Sequence, residues 1–253
     1  MKEIKNLFYP ALSFLLVLLV WQVLVWTLKI NPSLFPSPLE VARAFGGLAH
    51  GGVLADSIGI SLYRFVAGYL SAIILGVAGG LLMGWFRIVF RLCNPVVQLV
   101  RPIAPVAWMP FIVLLLGIGD IPAIFIIFLA GFFPVLLATA SAVHHLDPIY
   151  LKVAQNYGIP QSKILMHIVF PAVFPQIAAS FHIALGTSWI FLVSGEMVGA
   201  QSGLGYLIID SRNNLRTDEL LAVMLIIGCI GFLLDVMIGL FEKKVRRLWG
   251  EVK

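Results

Sequence analysis

The chain has 253 residues, 60% of them hydrophobic and only 11% charged, and its mean hydropathy is +1.02. A water-soluble domain of this length needs far more charge to cover its surface, so the composition excludes one and implies a polytopic membrane protein. The formal net charge of +5 then reads as a topology signal under the positive-inside rule, not as a nucleic-acid footprint.

Lys2 and Lys5 precede an apolar run over residues 11–28. The run is longer than a secretory h-region and no A-x-A site follows it, so a retained first span is expected. Pro32, Pro36 and Pro38 then end any continuing helix. Ser37-Pro38 with Glu40 has the form of a helix start, and Leu39, Ala42 and Phe45 could lie along the outer membrane surface as a short interfacial helix.

A second span is expected at 58–86. It carries Gly68, Ala72, Gly76, Gly80 and Gly84 at intervals of four, a slowly drifting face that allows close approach of another helix. That face reads equally well as ordinary packing or as a central helix against which others move. A third span is expected at 100–116, with Pro102, Pro105 and Pro110, and a fourth at 121–143, with no charge. The fifth is placed at 172–200 and the sixth at 220–240. Cys93 and Cys229 have no metal-ligand spacing and read as small hydrophobes.

With the N-terminus in the cytoplasm, the inner segments hold 12 of the 17 Lys and Arg, Arg87, Arg91, Arg101, Lys152 and Lys163 among them. Lys29, Arg43, Arg64, Arg212 and Arg216 remain outside. This asymmetry places both termini inside. Four ionisable residues fall in or near the spans: Arg64, His182, Glu196 and Asp235. Arg64 and Asp235 are expected to snorkel or pair locally near span ends. Glu196 lies in a glycine-rich stretch and either lines the outer mouth of a pathway or holds the loop by hydrogen bonds.

The sequence has no G-x-x-x-x-G-K-[ST], no H-E-x-x-H, no C-x-x-C and no G-x-S-x-G. Ser194 and His182 are twelve residues apart on one expected helix, too far for a nucleophile–base hydrogen bond. No catalysis is expected from this chain alone, and without a P-loop motif it is not expected to bind ATP as a cofactor.

The polar stretch from Lys152 to Pro171 stands between two apolar runs. Its Ala154, Gly158, Ile168 and Pro171 resemble the EAA loop of ABC importer permeases. Leu34-Phe-Pro-Ser-Pro-Leu39 resembles the L-P-S-P entry of sulfonate, taurine, nitrate and bicarbonate permeases. The segment from Leu99 to Pro110, Leu116-Gly-Ile-Gly-Asp120, and the run from Glu196 to Leu207 resemble further motifs of the same family. Lys152-Val153 departs from the usual Glu-Ala opening, and Ala104 stands where the family has a proline.

The resemblance implies an all-α polytopic fold with six transmembrane helices, the type I ABC importer (MetI-like) transmembrane domain. Residues 1–56 would be the first helix and an external interfacial segment. Residues 57–242 would be the transmembrane domain, with a cytoplasmic coupling helix at about 150–163, and 243–253 a basic tail. The function implied is the permease subunit of an ATP-driven importer for a small anion, in the inner membrane, working as a homodimer with two ATPase subunits and an external binding protein. A permease for a neutral or aromatic nutrient such as a thiamine precursor, or a secondary transporter, is the alternative.

The ATPase contact is expected from Ala154, Asn156, Tyr157, Gly158, Ile159, Pro160 and Ser162, with Gly158 ending the coupling helix and Pro171 starting the next span. A helix resting on the inner leaflet, with Ile164, Leu165 and Ile168 in lipid, is the competing reading. Arg101, Trp108, Ser194 and Glu196 are candidates for the pathway or its gates, and Gly76, Gly80 and Gly84 for helix packing.

Overall fold

The computed structural model describes residues 2–28, 31 and 33–248. Lys29 and Lys253 lie outside the described residues, as do the side chains of Lys2, Lys5, Ser162 and Arg246. The described residues are helical and joined by short turns: α1 Lys2–Leu28, α2 Pro38–His50, α3 Val53–Trp85, α4 Arg87–Val100, a 3-10 turn Pro105–Trp108, and α5 Met109–Leu116. They continue with α6 Asp120–His144, α7 Pro148–Asn156, α8 Gln161–Ile164, a π-helical turn Leu165–Val169, α9 Phe170–Gly199, α10 Leu204–Asn213 and α11 Thr217–Leu248.

Among the described residues, four helical stretches are long and apolar enough to cross a bilayer: Val53–Trp85, Asp120–His144, Leu165–Gly199 and Thr217–Val245. The pair Arg87–Val100 and Pro105–Leu116 meets the same test as one broken segment bent by 88°. In α1 the apolar stretch Leu12–Thr27 is shorter. Length and composition therefore give four crossings among the described residues, or five with the broken pair.

Ser37 starts α2 as the sequence suggests. Its side chain and the Glu40 backbone N–H, with the Glu40 carboxylate returning to the Ser37 N–H at 2.7 Å, form a capping box. Those hydrogen bonds hold the Glu40 carboxyl below its ordinary range. The Trp21 indole donates to the Pro36 carbonyl at 3.1 Å and its ring meets Phe35, which ties α1 to this entry segment.

The centre of the molecule is the pairing of α3 with α6. A side chain on Gly68, Gly76, Gly80 or Gly84 would collide with Ile127, Val135, Thr139 or Val143 respectively. The sequence offset is the same for every pair, so α3 and α6 run parallel. At Ala72 the small residue changes sides: the methyl group faces Gly131, whose own Cβ would lie 3.1 Å from it. Parallel neighbours require the intervening chain to return to the starting end, and α4, the turn and α5 make that return. α9 packs against α6, and α11 lies outside α9. The Trp189 indole joins these two layers by donating to the Ile227 carbonyl at 3.2 Å.

Three sequence expectations change. A single third span over 100–116 does not exist, because the chain breaks after Val100 and turns at Pro102 and Pro105, where prolines withhold backbone donors. Arg101 consequently sits at the break and not in an inner loop. Pro171 does not begin the fifth span either: helix continues from Gln161 to Gly199, and a π turn just before Pro171 absorbs its missing N–H, with Phe170 N–H reaching back to the Leu165 carbonyl. Ile164 is 2% exposed, and Leu165 and Ile168 pack against the main core, so these three side chains are not a lipid-resting face.

Candidate functional site

Two polar constructions stand at opposite ends of the helix bundle. The first is the elbow between α6 and α9. Asp147 caps α7 by accepting from the Ile149 N–H at 2.9 Å, and Pro148 occupies the first turn, where no donor is needed. At the other end Gly158 has φ +66, which favours glycine. Its N–H donates to the Gln155 carbonyl at 3.0 Å, and the Ile159 N–H to the Ala154 carbonyl at 3.0 Å. This double closure is a Schellman motif.

Ala154 is 1% exposed and belongs to the main core with Ile159 packed against it. Tyr157 is 81% exposed. The elbow is thus a short closed helix seated on the bundle by a small residue and presenting an aromatic ring outward. Asn156, Gly158 and Pro160 are exposed beside that ring, Ile159 is half-buried, and the backbone of Ser162 lies in α8.

The second construction lies at the other end of α6, about 37 Å away by helix rise over its 25 residues. Arg64 of α3 is 1% exposed. Its guanidinium reaches Asp120 Oδ1 at 2.6 Å, Glu196 Oε1 at 2.8 Å, the Ser202 carbonyl at 2.7 Å and Ser202 Oγ at 2.7 Å. Glu196 is fully buried and also accepts from Ser61 Oγ at 2.8 Å and from the Gly205 N–H at 2.9 Å. Ser61 Oγ in turn accepts from the Leu204 N–H at 2.8 Å.

Glu196 and Ser61 therefore satisfy the orphan donors that open α10. The glycine-rich segment follows from this. Gly203 has φ +99, and any side chain there would strike the Glu196 carboxylate. At Gly205 a Cβ would lie 2.5 Å from the Val193 carbonyl.

Arg64 thus does not snorkel, because two carboxylates on other helices hold it inside the protein. Asp235 does not pair locally either: its carboxylate meets His182 of α9 at 2.7 Å, across the α9–α11 boundary. Sequence reasoning missed Asp120 and Ser202 as partners. The one available signal was that both lie in the stretches that resemble family motifs, 116–120 and 196–207.

Of the four pathway candidates, Glu196 is enclosed in this network and Ser194 lies half-buried on α9, its hydroxyl directed to its own helix at the Ile190 carbonyl, 3.5 Å away. Arg101 and Trp108 come together at the broken crossing, where both line a small cavity with Thr187 of α9. Among the described residues, no group of three or more His, Cys, Asp or Glu side chains could hold a metal ion.

The described chain is a bundle of apolar helices with a short polar elbow at one end and a buried ionic cluster at the other. Residues 68–247 match the family of binding-protein-dependent transport system inner membrane components, and the chain belongs to that family. It is 35% identical over 240 residues to a Methanocaldococcus jannaschii chain assigned as an ABC transporter permease protein, covering 93% of this chain and 88% of that one. It is 28% identical to the taurine transport system permease protein of Escherichia coli, with 94% and 88% covered. Against the nitrate import permease protein of a Synechocystis strain it is 30% identical, with 93% and 88% covered. The fold is similar to that of a chain of the MetNI methionine ABC transporter in inward-facing conformations, with TM-score 0.67 and 17% identity over 76% of this chain and 96% of that one. The chain is accordingly an ABC importer permease, a transport component of the membrane.

Proposed function

We propose that the chain forms the translocation pathway of an importer for a small anion, as the taurine and nitrate permeases among its relatives suggest. Two copies would face each other across the pathway. Two ATPase subunits would dock on the inner face, and an external binding protein would deliver substrate. In this reading α1 and the broken α4–α5 pair both cross, which gives six crossings with both termini inside. The excess of Lys and Arg on inner segments supports that orientation.

The observation that carries the proposal is the elbow. A short helix closed at both ends, seated by Ala154 and exposing Tyr157, suits transmission of a push from a neighbouring protein. ATP binding would draw the two elbows together and open the pathway outward, and hydrolysis would reset it by rigid-body rocking. No ion gradient is required, because ATP supplies the free energy.

The test is to replace Tyr157 with Ala and Gly158 with Trp. Both variants should insert and pair normally, copurify less ATPase and lose substrate-dependent stimulation of ATP hydrolysis. Gly158→Trp also strains the helix closure, so Tyr157→Ala is the cleaner arm. Full stimulation in both would move the contact elsewhere. Uptake by the chain alone, without ATPase or ATP, would overturn the importer reading itself.

A further inference from the structure

The broken crossing leaves a cation at an expensive depth. Arg101 follows the last residue of α4 and is exposed beside a cavity of roughly 160 Å³ between the 3-10 turn, α6 and α9. Ala130 and Pro134 of α6 line it, as does Thr187 of α9. Helix rise places these residues ~15–20 Å from the ends of α6 and α9 that carry Asp120 and Gly199, near the middle of both helices. An ionised side chain at such depth normally faces a partner, water or a ligand.

The other ionisable side chains that fall in or near the spans have partners: Arg64 with Asp120 and Glu196, and His182 with Asp235. Arg101 has no side-chain hydrogen bond or ion pair among the described residues. The negative end of the α4 dipole offsets only part of its charge.

A second donor points the same way. The Trp108 indole lines the cavity and is half-buried, yet its N–H has no acceptor among the described residues. Trp21 and Trp189 each donate to a backbone carbonyl, as a buried indole usually does. Thr187 does not compete as a donor. Its hydroxyl proton is directed at carbonyls, including that of Ala130 at 3.1 Å, which Pro134 leaves without its helical N–H. Phe133, Phe191 and Ile103 form apolar walls, and among the described residues no carboxylate lines the cavity.

We propose that this cavity is a subsite for a small organic anion, a sulfonate or carboxylate with a short apolar tail. The Arg101 fork would hold two head-group oxygens, the Trp108 N–H would donate to the head group, and the two phenylalanines would receive the tail. An inorganic anion would engage the donors but leave the aromatic walls unused, and an amine would meet like charge. The inference deepens the transport reading above and rests on it, since such a site has its use on a pathway.

The test uses the full chain in lipid nanodiscs with nitrate as an anionic collisional quencher of tryptophan fluorescence. The Trp108 component is obtained by difference from Trp108→Phe. Quenching of that component should saturate, and butanesulfonate should relieve it at concentrations at least tenfold below those needed for butylammonium. Arg101→Gln should raise the half-saturating nitrate concentration at least tenfold, with Arg101→Lys intermediate.

Non-saturating quenching that is unchanged in Arg101→Gln overturns the proposal, as does equal relief by the two competitors. Should Arg101→Gln fail to fold, the competition on the unmodified chain decides. No ATPase is present in this assay. Failure here, with ATP-driven uptake intact, removes the subsite alone, whereas saturable quenching in a chain that binds no ATPase removes the transport reading alone.

Discussion

At the scale of single residues, Glu196 shows how a charge is kept inside a membrane protein. Its carboxylate collects a guanidinium, a hydroxyl and a backbone N–H, so removing it takes the acceptor from the hydroxyl and the N–H and one of two carboxylates from Arg64. Leaving a buried charge with no partner costs about 3–5 kcal/mol, and Arg64 stays below that because it keeps Asp120 and Ser202. Glu196→Leu should therefore lower the thermal unfolding midpoint sharply and reduce transport. Glu196→Gln keeps one acceptor oxygen and should lose less. Asp120→Asn should lose least, because the Asp120 side chain is 54% exposed and solvent screens its pair with Arg64. Unfolding midpoints in detergent, measured for all three, check this order, and equal midpoints for Leu and Gln would remove hydrogen bonding from the explanation. The pairing itself was illegible in the sequence. Arg64 and Glu196 are each visible as costly ions, but nothing local to either reports that 132 residues later the other closes on it.

At the scale of helices, the four-residue rhythm of small residues in α3 was legible because it is internal to one helix. Its counterpart was not. Ile127, Val135, Thr139 and Val143 of α6 look like any apolar face until the parallel pairing sets them into the glycine notches. A Cβ at Gly80 would lie 2.5 Å from Thr139 Cβ and 2.7 Å from the Leu136 carbonyl, and the carbonyl cannot move without moving the helix. Gly80→Ala should thus destabilise by about 1–3 kcal/mol through overpacking. Gly228 of α11 has nothing within 4 Å of such a Cβ, so Gly228→Ala should be neutral or stabilise by up to about 1 kcal/mol through helix propensity. Denaturant midpoints of the two variants, side by side, test whether close approach or glycine content matters. The break after Val100 was half-legible. Pro102, Pro105 and Pro110 were visible, but a proline in a transmembrane segment permits either a kink or a full turn, and packing of the turn against α6 and α9 decides.

At the scale of the whole molecule, the fold separates its two polar constructions along the bundle. The Arg64 cluster binds the ends of α3, α6 and α9 to the start of α10, and the elbow closes the other end of the α6–α9 pair. A push on the elbow therefore acts on helices already clasped together at their far ends, which favours tilting of the unit over bending within it. The two ends must then face different compartments. With Cys93 and Cys229 replaced by Ser, a cysteine at exposed Tyr157 and one at exposed Asn213, in separate chains, report this directly. A membrane-impermeant maleimide applied to intact cells should label Asn213→Cys and leave Tyr157→Cys untouched until the membrane is opened. Once opened, excess cognate ATPase should shield Tyr157→Cys and leave Asn213→Cys reactive, because the partner covers only the elbow. Labelling of Tyr157→Cys from outside would invert the topology. Labelling from inside without protection by the ATPase would keep the topology and dismiss the elbow as the docking point.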